Sequence, residues 1–360
     1  MAARGEFSFK EISTQAESWR SAIDTTLSSK GELLALISKN AGRRIIFIGC
    51  GSTHYLAQYA APFFQSVTGI ICRGVPSSEL CFETGSIVAE GETPLIIALS
   101  RSGDTSETIM AVEKMRARGS DAITISCYDD TGLSAASCLT VCIPAGREES
   151  FAQTRSFAGM LVAVQVLAAL VANDSALLDA IQQLPGLATD IIERAKPVTQ
   201  EIGPNEGFKR ITYLGSGALY GLASESTVKM KEMSLSVAEP YHFMEFRHGP
   251  MSLLDEEHLI VALLSDNMRD YEIGVLRDLK QRKAYVLVIA DRDDGLSDEF
   301  DKVFVLGSSL PEKARGVLYL PLVQLLAYYR SMGRGLNPDR PRNVIMAIRL
   351  DGTGMKQDEG

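Results

Sequence analysis

The sequence predicts an α/β fold of two tandem domains, each a parallel sheet flanked by helices. Two observations carry the prediction. The chain repeats itself: Arg44-Ile45-Ile46-Phe47-Ile48-Gly49-Cys50-Gly51 parallels Arg210-Ile211-Thr212-Tyr213-Leu214-Gly215-Ser216-Gly217, and Leu95-Ile96-Ile97-Ala98-Leu99 parallels Leu259-Ile260-Val261-Ala262-Leu263. In both copies apolar strand-like runs alternate with helix-like segments and lead to a further strand, Ala122 to Cys127 in the first and Tyr285 to Ala290 in the second. Strands spaced by helices pair in parallel and are covered on both faces. A length of 360 residues accommodates two such domains with ample core.

In chain order, residues 1–35 read as a helical segment, 36–185 as the first domain, 195–335 as the second, and 336–360 as a C-terminal loop and tail. The run Leu95 to Leu99 is a buried strand, and Ile109, Val112 and Met115 after it mark a helix. Ala158 to Ala172 is apolar, contains Gln165 and is too short to span a bilayer, so it reads as a buried helix. The segment 351–360 is polar, holds three glycines and is expected to be a mobile tail.

Composition narrows the function. A hydrophobic fraction of 46% with 22% charged residues is that of a soluble globular protein. The net charge of −9, with no basic cluster, argues against a nucleic-acid partner. No signal peptide is expected from the opening residues, and no segment reads as a membrane span. The six cysteines, Cys50, Cys72, Cys81, Cys127, Cys138 and Cys142, form no C-x-x-C and are expected to be reduced and buried in a cytoplasmic protein.

The chemistry concentrates in two segments. After Leu95–Leu99 comes Ser100-Arg101-Ser102-Gly103-Asp104-Thr105, a hydroxyl-rich turn opening a helix. Such a turn gathers backbone N–H groups, hydroxyls and the positive end of a helix dipole, which together receive a phosphate or other small anion. An ordinary strand-to-helix loop with Asp104 or Thr105 as N-cap is the plainer reading. The second copy has Leu264-Ser265-Asp266-Asn267 at this place, so the anion turn is expected in one half only and the active site is expected to be composite. The glycine pairs Gly49/Gly51 and Gly215/Gly217 lack the third glycine of a dinucleotide fingerprint, and no P-loop motif is present.

The other segment runs from Glu225 to Pro250. Glu225, Lys229 and Glu232 fall on one helix face, while Lys231 points elsewhere. A solvated face with a Glu–Lys pair is the bland interpretation. Glu239 to Pro250 then packs His242, His248, acids, an arginine and aromatics into a loop bounded by proline and glycine, a density of titratable groups typical of catalytic sites. His242, Glu245 and His248 lack the spacing of a zinc motif, and no metal is expected.

These residues resemble the sugar isomerase (SIS) domain family, and within it the isomerase half of glucosamine-6-phosphate synthase. The likeness runs from about Phe9 to Ile348. It includes Cys50-Gly51-Ser52-Thr53, Ser78-Glu79, Lys229-Met230-Lys231-Glu232, Ala238-Glu239, Glu245-Phe246-Arg247-His248-Gly249-Pro250, Gln324-Leu325-Leu326-Ala327-Tyr328 and Pro341-Arg342-Asn343. The resemblance implies two tandem SIS domains, a small phosphosugar as partner, no cofactor, and a homodimer with shared active sites. By the same resemblance Ser100, Arg101, Ser102 and Thr105 bind the phosphate, and Ser52, Thr53, Gln153 and Arg342 contact the sugar. Glu232 is the base that moves a proton between C1 and C2, Lys229 lies beside it, and His248 opens the ring from the partner subunit.

Departures from the synthase redirect the expected reaction. No amidotransferase domain with its terminal cysteine is expected, since Ala2 follows the first residue and the repeat starts by about residue 40. Met346 stands where the synthase has an imine-forming lysine, and Gln153 replaces a small hydroxyl residue. The expectation is therefore an aldose–ketose isomerase/deaminase for an amino-sugar 6-phosphate, such as glucosamine-6-phosphate to fructose-6-phosphate plus ammonia. A fructosamine-6-phosphate deglycase and an ammonia-using aminotransferase are the competing enzymes, and a sugar-phosphate sensor is the rival outside the enzyme class.

Overall fold

The computed structural model describes residues 3–346 and 348–350; the expected tail at 351–360 lies outside them. Each half contains five parallel strands. The first sheet comprises β1 (Ile45–Gly49), β2 (Cys72–Pro76), β3 (Leu95–Ser100), β4 (Ala122–Ser126) and β5 (Leu139–Cys142), ordered β2-β1-β3-β4-β5. The second comprises β6 (Arg210–Gly215), β7 (Val237–Tyr241), β8 (His258–Leu263), β9 (Tyr285–Ala290) and β10 (Lys302–Val305), ordered β10-β9-β8-β6-β7. Read from the opposite edge, the second order repeats the first. In both, the chain reverses direction between the first and third strands, the position at which open α/β sheets carry ligand crevices.

Strict alternation within the buried strands explains the layers. Leu95, Ile97 and Leu99 of β3 and Leu259, Val261 and Leu263 of β8 face one shared central core. Ile96 and Ala98 face an outer core under the helix Ser106–Ala117. Ile260 and Ala262 face another under the helix Arg269–Lys280. Neither face of β3 or β8 meets water, so both runs are continuously apolar.

The shared core is filled by helices from both halves. Arg155–Ala172 contains the run read as a buried helix; 83% of it is buried, and its Gln165 Nε2 donates to the carbonyls of Lys313 and Ala314 at 3.0 and 2.9 Å. The helix after β1, Ser52–Thr68, packs on the equivalent helix after β6, Leu219–Ser234. They approach backbone to backbone, because a Cβ on Gly221 would lie 2.4 Å from the Tyr59 nitrogen. This crossing brings the N-terminus of one helix to the charged face of the other.

Two local expectations need correction, those for residues 237–241 and for the burial of the cysteines. Val237–Tyr241 is an edge strand, with Pro240 opposite Tyr213, and not part of a loop. Edge strands tolerate proline because its missing N–H faces no partner. Leu184–Ile202 is one helix running across the interval between the two expected domains. Of the six cysteines only Cys81 and Cys127 are buried, while Cys138 is exposed; all six are free.

Candidate active site

The turn after β3 is a cradle. Gly103 adopts φ 71°, and a Cβ there would meet Thr131 Oγ1 at 2.3 Å, so glycine is required. The Arg101 carbonyl accepts from Cys127 N and Ser126 Oγ, both at 3.2 Å, which fixes the turn to the end of β4. Ser100 Oγ accepts from Gly103 N at 3.1 Å and Ser102 Oγ from Asp104 N at 3.2 Å. Each hydroxyl keeps its own proton to donate. Thr105, the N-cap of Ser106–Ala117, makes no side-chain cap bond, which leaves its hydroxyl available at the positive end of the helix.

The equivalent turn of the second half is filled from within. Glu272, fully buried, accepts from Ser265 N at 2.8 Å and Ser265 Oγ at 3.0 Å. Asp266 pairs with Arg315. An internal carboxylate thus occupies the donors that an external anion would use.

The first-half turn borders a cavity of about 760 Å³. Ser52 and Thr53 at the start of Ser52–Thr68 line it, together with Ser100, Arg101, Ser102 and Thr105, Phe151 and Gln153, Glu232, and the C-terminal segment at 343–346 and Ile348. Eight of the expected site residues therefore meet in one space, and Lys229 lies directly behind Glu232.

The helix face carrying Glu232 is buried, not solvated. Lys229 is 1% exposed, with Nζ 2.8 Å from Glu232 Oε2 and 3.4 Å from Glu225 Oε1. Burial alone would lower the ammonium pKa, but Glu225 and Glu232 outweigh it and hold Lys229 charged. Burial raises the Glu225 carboxyl to about 7, with Lys229 opposing and Glu232 reinforcing the shift. Glu232 lies closer to the cation than Glu225 does and is 26% exposed, on the side of the cavity. Glu225 was legible as a member of this face, but its burial, and so its place in the site, was not. Burial also pushes the Cys50 thiol up, so this cavity-lining sulfur stays protonated.

Other expected site residues have partners or positions of their own within the chain. The Arg101 guanidinium donates to Glu148 Oε2 at 3.1 Å, the Ser150 carbonyl at 3.2 Å and the Met346 carbonyl at 3.4 Å. Thr53 Oγ1 exchanges both of its local bonds with the Cys50 backbone, so its hydroxyl serves the turn. Arg342 is exposed and is not among the cavity residues, although its neighbours from Asn343 onward are. His248 is exposed and lies outside the cavity of its own chain. His242 stacks on Tyr220 with ring centroids 3.9 Å apart.

Sequence inspection missed the residues that brace the walls. Glu11 Oε1 accepts from Glu149 N at 2.6 Å and Ser150 N at 3.1 Å, and its other oxygen from Ser150 Oγ. Asp339 accepts from Ser8 N at 2.8 Å and Ser8 Oγ at 2.7 Å, while its carbonyl accepts from Phe151 N at 3.0 Å. The first helix, Glu6–Ser13, thereby anchors two cavity segments.

Comparison with known proteins agrees with this architecture. The SIS domain family model matches residues 38–170 and 207–329. Glutamine–fructose-6-phosphate aminotransferase of Methanothermobacter thermautotrophicus is 26% identical over 359 residues, covering 98% of this chain and 59% of that protein. The chain thus spans about three-fifths of the length of the curated relatives it matches. Tagatose-6-phosphate ketose/aldose isomerase of Escherichia coli superposes with a TM-score of 0.86 at 25% identity, covering 95% of this chain and 97% of that one. Glucosamine-6-phosphate deaminase of Thermotoga maritima superposes at 0.75 and 24% identity, covering 92% and 100%, a likeness of fold. With matches in both halves and the same doubled architecture in its relatives, the chain belongs to the SIS domain family.

Proposed function

We propose that the protein is a phosphosugar aldose–ketose isomerase/deaminase acting on an amino-sugar 6-phosphate. The observation that carries this reading is one cavity bordered by the Ser100–Thr105 cradle and by Glu232 backed by a buried, charged Lys229. The cradle receives the phosphate through the hydroxyls of Ser100, Ser102 and Thr105 and the N-terminus of Ser106–Ala117. Phosphate binding fixes the distant reacting carbons against the carboxylate.

In the open-chain sugar Glu232 removes the C2 proton and returns it to C1. For a 2-amino aldose this produces the 2-imine of the ketose. Water then adds at C2 and ammonia leaves, so the overall reaction consumes one water and releases one ammonia. Lys229, 2.8 Å from Glu232 Oε2, holds the carboxylate in place beside the reacting carbons. A binding-only sensor would have no use for a carboxylate poised over a buried ammonium.

His248, exposed on its own chain, is proposed to serve the cavity of a second copy, in a two-fold dimer with two identical shared sites. The test of the activity is a panel of amino-sugar and fructosamine 6-phosphates scored for ammonia and for free phosphosugar. Ammonia with ketose phosphate from an amino sugar supports the proposal. Release of an intact amine from a fructosamine phosphate transfers it to the deglycase reading, and binding without turnover refutes catalysis.

A further inference from the structure

Arg101 is the one cation of the cradle, and its charge is already committed to Glu148. It is 4% exposed, and its partner Glu148 has a fully buried side chain. Glu148 is satisfied without it as well: Oε1 accepts from Thr154 N at 2.7 Å, Thr154 Oγ1 at 3.0 Å and Ser156 N at 3.1 Å, and Oε2 from Ser156 Oγ at 2.6 Å. The hydrogen bonds of the carboxylate are therefore complete without the arginine, which supplies its neutralising charge. What it adds besides is a span. From the turn after β3, its planar fork reaches the Glu148–Ser150 wall and the carbonyl of Met346 at once.

Those three places border different parts of the cavity. The turn carries the phosphate hydroxyls. The Ser150 wall continues into Phe151 and Gln153, and Met346 belongs to the C-terminal segment that lines the cavity. The wall is also held from behind by Glu11, so it is a rigid abutment for the guanidinium. Swinging Arg101 towards a phosphate would break all three hydrogen bonds, and would trade a buried neutral pair for a separated one.

We infer that Arg101 is a positioning residue and not a phosphate ligand: it ties the phosphate cradle to the Ser150–Gln153 wall and to the Met346 segment, so that both ends of the cavity keep one register. This rests on the phosphosugar reading of the cavity and adds a division of labour within it. The phosphate is held by hydroxyls and amides, and the arginine sets where the rest of the sugar lies relative to Glu232. A displacement of about 1 Å at the reacting carbons costs on the order of 10²-fold in rate.

Arg101→Met and Arg101→Lys test this, with inorganic phosphate binding by calorimetry and turnover of the phosphosugar active in the panel above. A ligand and a tie give opposite patterns. As a tie, Arg101→Met leaves inorganic phosphate affinity within about threefold of wild type while kcat falls by about 10²-fold, the displacement cost above. Lysine does not rescue it, because one ammonium cannot reproduce the planar fork. Hydrogen exchange at residues 150–154 speeds up in both variants, with the remaining amides unchanged as the control for folding. Loss of inorganic phosphate binding in Arg101→Met, restored by Arg101→Lys, overturns the inference and makes the residue a phosphate ligand. Unchanged kcat in Arg101→Met overturns it too. If wild type itself binds no phosphate, the phosphosugar reading fails instead, independently of the arginine.

Discussion

Replacing Glu225 by glutamine keeps the side-chain shape and removes a buried acid. The carboxyl ordinarily titrates near 4.5 and is raised to about 7 in the folded chain, chiefly by burial. The folded state therefore holds this proton more tightly than the unfolded state. The associated stability is complete below pH 4.5 and is lost as the pH rises through about 7. Each pH unit between the two values is worth about 1.36 kcal/mol, so wild type loses about 3 kcal/mol that the glutamine variant keeps. With an unfolding entropy of about 2.1 cal/mol/K per residue, a chain of this size melting as one unit shifts by about 4 °C. Thermal unfolding of both proteins from pH 5 to pH 8 is the assay. The variant is expected to melt about 4 °C above wild type at pH 8, and the gap is expected to shrink to about 1 °C at pH 5. A gap that does not change with pH would show that Glu225 is already ionised at pH 5, held by Lys229 more strongly than its burial opposes.

Four further outcomes are expected. Glu232→Gln should lower turnover about 10²–10⁴-fold while phosphate binding persists, measured by steady-state kinetics and calorimetry. Ser102→Ala removes a donor to the phosphate and should weaken phosphosugar binding by about 1–3 kcal/mol; an unchanged Kd removes Ser102 from the cradle. Gly221→Ala forces a Cβ onto the Tyr59 backbone and should cost about 1–3 kcal/mol in stability, read by thermal unfolding. Mixing inactive Glu232→Gln and His248→Ala chains under subunit exchange should restore part of the activity, because some heterodimers hold one intact site; verified heterodimers without rescue would exclude the shared-site arrangement.

Periodicity and repetition were sufficient for the α/β class, the doubled sheet and the Ser100–Thr105 turn, because these depend on local pattern. A strand buried on both faces must be apolar throughout, and a turn that opens a helix must expose its amides whatever surrounds it. The same logic identified the Glu225–Lys229–Glu232 face, since helical spacing alone aligns it. Short edge strands such as β7 escaped, because Pro240 and an alternating half-exposed pattern look like a loop in isolation.

Tertiary structure decided what each charge does. Nothing local distinguishes Arg101 as a phosphate ligand from Arg101 as a tie; the choice follows from Glu148 lying 3.1 Å away across the fold. Nor could spacing tell that Glu272 fills the second turn, or that Glu11 and Asp339, from opposite ends of the chain, brace one wall. The sequence by itself determined which segments present donors, acceptors and apolar faces, since those properties belong to the residues and their period. Only the packing of the two halves determined which carboxylate is buried, which is paired and which meets the cavity, because desolvation and ion pairing depend on neighbours distant along the chain.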